Sequence, residues 1–422
     1  MLPLSKHAGS GGEIKISPDS FIVEEITGKG TILEVGKEYS AAQIGEQSTE
    51  NGKFARFVVE KSNWNTIEAL RNIARKFGRG ARSVGYAGMK DRAARTVQLA
   101  SIFGVNADEV AKVNIRDVSI NGAWQSSSEV AMGDLLGNHF KIGIHSPQNP
   151  HNAQYVVDEL DGRMPNYFDR QRFGTRLNNH RIGLGIIRGD FEFAAMEFLT
   201  GTANETNQDA IEARERLKSE MDFKSAIAYF PKYLRGERTV IEYLSRYENS
   251  YSNALMKLPR GILLMFVHSV EDIIFNYSLE KHIENWSFEN CAVRCGYNSY
   301  GFPDISKLDY TGHIGEGVPL ANLIGYETNQ DSISEYEKEA LEVLGLDIGS
   351  FKLRGMGELS MKGSVRPLLT NVKDLKCNVS EGMLDVDFSL PAGSYATVMI
   401  SEITKSESLL GDIPSIHDAL GT

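Results

Sequence analysis

The spacing of apolar side chains along the first half of the chain switches repeatedly between a strand period and a helix period. Phe21 to Ile26, after a turn at Pro18-Asp19, predicts a strand, and Phe54 to Val59 predicts another. Ile67, Leu70, Ile73, Ala74 and Phe77 recur at helical spacing and predict a helix over Thr66 to Phe77. Asn65 stands as its N-cap, Glu68 three residues on, and Gly78 as its stop. Ser83 to Gly88 and Thr96 to Phe103 read as strands flanking a tight turn at Met89 to Arg92. Phe140 to Ile144 reads as a further strand and Ala153 to Leu160 as a helix. Strands and helices mixed in this way predict an α+β fold.

After about Gly189 the texture changes. Phe191 to Gly345 is rich in long helical segments, with Gly- and Pro-punctuated loops around Gly296 to Val318. Near Gly363 the strand pattern returns, Met383 to Leu390 alternates, and Gly393 onward reads as a strand-to-helix turn. The expected organisation is a core formed by residues 1–189 and 363–422, split by a mainly helical insertion at 190–362. No repeat of solenoid period is present. The only biased stretch is the Gly-Ser segment at Ala8 to Gly12.

A chain of 422 residues exceeds the usual size of one hydrophobic core, which agrees with two units. The longest apolar run, Ile262 to Val267, is far short of a membrane span. Met1 to Ser20 is polar and Gly-rich with no apolar leader core, so the expected location is the cytoplasm. The three cysteines, Cys291, Cys295 and Cys377, argue against a disulfide framework. Cys291 and Cys295 are spaced to share a helix face, but a zinc site needs two more ligands and only His282 is near. They are expected to be small buried residues. His7, His139, His145 and His151 do not fall at metalloprotease spacing. There is no phosphate-binding G-x-x-x-x-G-K-[ST] loop, no G-x-G-x-x-G after a strand and no G-x-S-x-G elbow. Neither a metal nor a cofactor is expected.

The net charge of −11 argues against a nucleic-acid partner when taken alone. Its distribution argues the other way. Arg71 to Arg95 holds eight basic residues against one acidic, and Arg163 to Arg188 holds six arginines against one Asp. Ala321 to Asp347 holds seven acids against one Lys. Such segregation suits a basic cleft on an acidic protein, although solvated helix faces with scattered arginines would look the same.

Three segments carry candidate chemistry. In Gly85-Tyr86-Ala87-Gly88-Met89-Lys90-Asp91-Arg92, glycines permit a sharp turn and a close ligand, and Lys90, Asp91 and Arg92 sit at its tip. A carboxylate among cations stays ionised. It is then a poor general base but a usable nucleophile. An ordinary turn with a surface ion pair fits the same residues. In Asn166-Tyr167-Phe168-Asp169-Arg170-Gln171-Arg172-Phe173-Gly174, aromatics interleave with arginines, as in sites that stack a base and hold its phosphates. Core aromatics under a snorkelling Arg face would give a similar pattern. In Leu390-Pro391-Ala392-Gly393-Ser394-Tyr395-Ala396-Thr397, Pro and Gly fix a bend ahead of a helix, and from the residues alone Tyr395 reads as a core residue at the start of that helix.

In this order the segments resemble the TruD-type tRNA pseudouridine synthases, in an archaeal-type form. Asp19-Ser20-Phe21-Ile22-Val23-Glu24-Glu25 is similar to the family's D-F-x-V-x-E opening, with Ser20 intruding. Ala87 to Arg92, with Gln98 beyond, resembles the A-G-x-K-D-x stretch that carries the catalytic Asp. Asn166 to Gly174 resembles N-Y-F-G-x-Q-R-F-G, with Asp169 in place of Gly. Leu390 to Thr397, followed by Glu402, resembles L-P-x-G-S-[YF]-A-T…E, and Phe275-Asn276 fits the family's internal helix. The resemblance implies a pseudouridine-synthase core with a mixed, partly antiparallel sheet and flanking helices, interrupted by the TruD insertion. It implies isomerisation of a uridine in tRNA, at position 13 in tRNA numbering. Asp91 would be the catalytic carboxylate, and Phe168 and Tyr395 would flank the extruded uracil. Asn166 would hydrogen-bond near Asp91 or the base edge. Glu25 and Lys90 would orient their neighbours, and Lys90 or Arg172 would pair with Asp91. An RNA-binding protein whose Asp91 is structural would keep the basic and aromatic segments. An RNA methyltransferase would need a glycine-rich cofactor loop, which is missing.

Overall fold

The computed structural model describes residues 1–14, 17–309, 317–380, 382–406 and 413–421. Its strands are β1 Phe21–Thr27, β2 Phe54–Ser62, β3 Val84–Tyr86, β4 Arg95–Phe103, β5 Val118–Ser126, β6 Leu135–His145, β7 Arg163–Pro165, β8 Arg294–Tyr297, β9 Pro303–Asp309, β10 Val318–Leu323, β11 Ser364–Pro367, β12 Leu369–Asn371, β13 Lys373–Ser380 and β14 Met383–Pro391. The helices are α1 Thr66–Lys76, α2 Ala107–Val110, α3 Asn152–Leu160, α4 Asn179–Arg188, α5 Phe191–Thr200, α6 Gln208–Glu220, α7 Phe223–Tyr229, α8 Arg235–Leu244, α9 Tyr251–Leu255, α10 Arg260–Asn285, α11 Glu335–Val343 and α12 Ala396–Thr404.

The main sheet runs β13-β14-β6-β1-β4-β2-β5, with β3 also paired to β4. It is mixed: β1 lies parallel to β4 and antiparallel to β6. The alternation in β14 does what the sequence predicts, since Leu384, Val386 and Phe388 are buried while Asp385 and Asp387 on the other face are half-exposed. Phe388 is the register partner of Phe140, and their rings stack with centroids 5.4 Å apart. This face packs on Val156 and Leu160 of α3 and on Val398, Met399 and Ile403 of α12. At the other end of the sheet, β2 and β4 pack on Leu70 and Ile73 of α1. That helix begins as expected: Asn65 Oδ1 accepts the N–H groups of Ile67 and Glu68.

The connection between β3 and β4 differs from the tight turn expected at Met89 to Arg92. β3 pairs with Ala100 to Ile102 in the distal part of β4, because β1 occupies the proximal part from Arg95 to Val97. The chain must therefore cross β1, and residues 87–94 form a broad loop over its end.

A second apolar cluster joins α4 to α10 with α11 and reaches back to Phe173. α10 is 26 residues long and apolar enough by composition to cross a bilayer, yet 72% of its most apolar stretch is buried within the protein. The loops expected around Gly296 to Val318 contain strands instead. β8, β9 and β10, with β11, form a four-stranded sheet, and residues 310–316 lie outside the described residues. Cys291 and Cys295 share no helix face, since Cys291 ends a 3-10 turn and Cys295 lies in β8. β12 pairs with β7, which places the segment starting at Asn166 beside the returning core.

Candidate active site

The broad loop over β1 is held from beneath by three side chains. Lys61, at the end of β2 and 1% exposed, donates from Nζ to the carbonyl oxygen of Asp91 at 2.8 Å. Burial pushes the Lys61 ammonium down to about 8, opposed by the charge of Asp91. The first helical residue of α1, Thr66, accepts the Lys90 N–H at 3.0 Å on Oγ1. Gln98 of β4 donates to the Gly88 carbonyl at 3.1 Å and accepts from the Thr66 hydroxyl at 3.2 Å. Gly85, at the foot of the loop, is required by close packing. A Cβ there would stand 2.4 Å from the Val130 carbonyl oxygen. At Gly88 an added Cβ would meet only Leu135, at 4.0 Å, so nothing in the loop itself demands glycine there.

Side chains of the loop point in opposite senses. Lys90 is buried: its Nζ lies 2.8 Å from Glu25 Oε2 and donates to Asn138 Oδ1 at 2.6 Å. Glu25 and Asn138 are register partners on β1 and β6, and Glu25 Oε1 accepts the Leu99 N–H at 3.0 Å. The Lys90–Glu25 contact is a close ion pair rather than an aligned hydrogen bond, as Glu25 Oε2 has no hydrogen-bond partner. Asp91 is half-buried, and Gln171 Nε2 reaches its Oδ1 at 3.4 Å.

Across from the loop, the Asn166 segment and the Gly393-Ser394-Tyr395 bend meet. Asn166 is 3% exposed and fully engaged: Nδ2 donates to the Pro367 carbonyl, and Oδ1 accepts from Ser394 Oγ and Arg366. It braces two segments, with its hydrogen bonds made there and not to Asp91. Phe168 is fixed by α10, where Asn276 takes both its N–H and its C=O at 2.9 and 3.0 Å. Its ring meets Phe275 edge-on at 5.5 Å and Tyr395 at 6.5 Å. The guanidinium of Arg366 lies 4.0 Å from its centroid, and that of Arg172 lies 5.4 Å away. Phe168 is only 6% exposed, whereas Tyr395 is half-buried. Tyr395 therefore presents more surface to a ligand than Phe168 does.

Neither cation expected to pair with Asp91 is available for that purpose. Lys90 is committed to Glu25, and Arg172 Nε sits 2.7 Å from Asp272 Oδ2 on α10. Burial pushes the Asp272 carboxyl up, and the charge and hydrogen bonds of Arg172 oppose it. Burial also pushes Arg366 down, to about 10. A cavity of about 540 Å³ opens here, lined by Phe168, Arg172, Arg366, Tyr395, His268 and Glu271 among others.

The residues that organise the site without having been singled out are Lys61, Thr66, Arg366 and Asp272. Two left a signal. Lys61 directly follows a buried strand pattern, and Asp272 is an acid inside an apolar helix, where a charge must be paired. Arg366 left none, because its partners Asn166 and Gly393 are distant in the chain.

Comparison with known proteins gives one consistent result. Residues 2–403 match the family model described as tRNA pseudouridine synthase D (TruD). A probable tRNA pseudouridine synthase D of Methanococcus maripaludis is 33% identical over 399 residues, covering 93% of this chain and 95% of that protein. A probable tRNA pseudouridine synthase D of Methanopyrus kandleri is 33% identical over 384 residues, covering 90% and 92%. The crystal structure of a putative tRNA pseudouridine synthase D (TruD) from Methanosarcina mazei superposes with a TM-score of 0.76. It is 28% identical, and 96% of each chain is covered.

Proposed function

The chain belongs to the tRNA pseudouridine synthase D family, and from that premise we propose that it isomerises a uridine of tRNA, at position 13, to pseudouridine, with Asp91 as the catalytic carboxylate. The observation that carries this reading is the mounting of Asp91: its backbone is held rigidly from below while its carboxylate is left half-buried at the loop tip.

The reaction breaks the C1′–N1 bond of the nucleoside, turns the uracil and forms a C1′–C5 bond. The C5 proton is lost and N1 gains one, so no redox step occurs. An ionised carboxylate serves this by bonding to, or facing the developing charge on, the carbon where the bond changes. Lys90 and Glu25 neutralise each other beneath the loop, while the half-buried Asp91 carboxylate lies at its tip. The uridine must leave the stack to be reached, at a cost of a few kcal/mol. Tyr395 offers a face to the extruded base, with Phe168 behind it, and base–aromatic stacking returns about 1–3 kcal/mol. Arg366 and Arg172 hold Phe168 in place.

Incubating the protein with a tRNA transcript and mapping pseudouridine tests the reading. A new pseudouridine at position 13 is expected, and its absence with folded protein and tRNA rejects the proposal. Tight binding should also depend on salt. Arg71, Arg75, Lys76, Arg82 and Arg92 are all exposed and form no ion pair among the described residues. If about four of them meet phosphates, affinity should fall on the order of a hundredfold between about 50 and about 200 mM salt. A dissociation constant that is flat over this range would mean that these cations do not face the RNA.

A further inference from the structure

The two most exposed large apolar side chains among the described residues are Met89 and Met132, each 67% exposed. Met89 stands two residues before Asp91. Met132 lies on the β5–β6 connection, which is tied to the same loop: the Gly133 N–H donates to the Ala87 carbonyl at 2.8 Å. Neither methionine joins any of the hydrophobic clusters. Exposed apolar bulk is common singly, but two such side chains on joined loops beside the candidate catalytic carboxylate call for a use.

The loop that presents Met89 is not a slack one. Gly88, Lys90 and Asp91 are each held through their backbone by Gln98, Thr66 and Lys61. Lys90 turns inward to Glu25, whereas Met89, two residues before Asp91, stands exposed. The exposed cations Arg82 and Arg92 lie on either side in sequence and suit a phosphate backbone. An apolar side chain flanked by cations is the chemistry of a wedge that enters a nucleic-acid stack. A protein that extrudes a base must also keep it from returning.

We propose that Met89 inserts into the RNA stack at the position vacated by the target uridine, with Met132 covering its outer side, and so holds the extruded base against Asp91. This rests on the isomerase reading for the identity of the target. Thioether side chains suit the role because they are flexible and polarisable and adapt to any neighbouring base.

The test uses the full chain and a tRNA transcript carrying 2-aminopurine beside uridine 13, whose fluorescence rises when stacking is lost. Wild-type protein and Met89→Leu should raise the fluorescence, whereas Met89→Ala should lose most of the rise. Under single turnover Met89→Ala should form pseudouridine about tenfold to a hundredfold more slowly, with the binding constant within about threefold of wild type. A second transcript with a mismatch that already unstacks the target should close most of that gap, which a merely structural role for Met89 would not produce. Met89→Ala behaving like wild type, or losing the same factor on both transcripts, overturns the wedge. Wild-type protein that binds without any rise in fluorescence also overturns it. Protein that raises the fluorescence without making pseudouridine keeps the wedge and rejects the isomerase reading instead.

Discussion

Asp91→Asn is expected to fold, to melt near the wild-type temperature, to bind tRNA as tightly as wild type and to make no detectable pseudouridine. The structure gives reasons for each part. The contact from Lys61 is to the backbone carbonyl of Asp91, and the bonds from Thr66 and Gln98 are to Lys90 and Gly88, so none depends on the carboxylate. The contact from Gln171 to the Asp91 carboxylate is long at 3.4 Å, and an amide oxygen can still accept it. What Asn removes is the negative charge and the nucleophilic oxygen. Removing an anion beside phosphates should if anything tighten binding. Pseudouridine formation under single turnover and a melting curve on the same preparation decide the matter. A variant within tenfold of wild type, a barrier change of about 1.4 kcal/mol or less, would strip Asp91 of its role. A variant that fails to fold would make Asp91 a structural residue of the loop.

Lys90→Met should be the costliest substitution in the loop for stability. Lys90 and Glu25 face each other at 2.8 Å with their side chains 2% and 0% exposed. Removing the cation leaves a carboxylate buried in the centre of the sheet, and breaking such a pair from one side costs about 3–5 kcal/mol. The loss should be recovered in large part by adding Glu25→Gln, because a neutral amide can still accept the Leu99 N–H and no charge is stranded. Denaturant unfolding of the two single variants and the double variant gives the coupling directly. Losses that simply add, or a single-variant cost under about 1 kcal/mol, would show that the pair is not an electrostatic unit.

The regular parts of this fold were legible because their information is local. The cap at Asn65, the alternation from Met383 to Leu390 and the helix period from Ile67 to Phe77 each fix an element within a dozen residues. What the sequence misstated depends on partners far along the chain. The loop at 87–94 reads as a tight turn until β1 is known to lie parallel to β4 and block the near pairing. Lys90 and Arg172 read as partners for Asp91 until Glu25 and Asp272 come between. Asn166 reads as a hydrogen-bonding group near Asp91 or the base until Arg366, 200 positions away, takes its oxygen. The short strands β8 to β10 were hidden by Gly and Pro that stand within or at the start of the strands themselves: Gly296 in β8, Pro303 at the start of β9 and Pro319 in β10. The family resemblance pointed to Phe168 and Tyr395, whose rings meet, but it did not say that Phe168 would be sealed under Arg366.

α10 holds Phe168 through Asn276 and Arg172 through Asp272, so one helix of the helical cluster forms a wall of the pocket beside the sheet. The helices are therefore not baggage that an engineer could excise to leave a smaller synthase. Looping them out would take away both the clamp on the Phe168 backbone and the counter-ion of Arg172. Any slimmed version would have to supply a substitute for one turn of α10, from Asp272 to Asn276, before the rest of the helical mass became expendable.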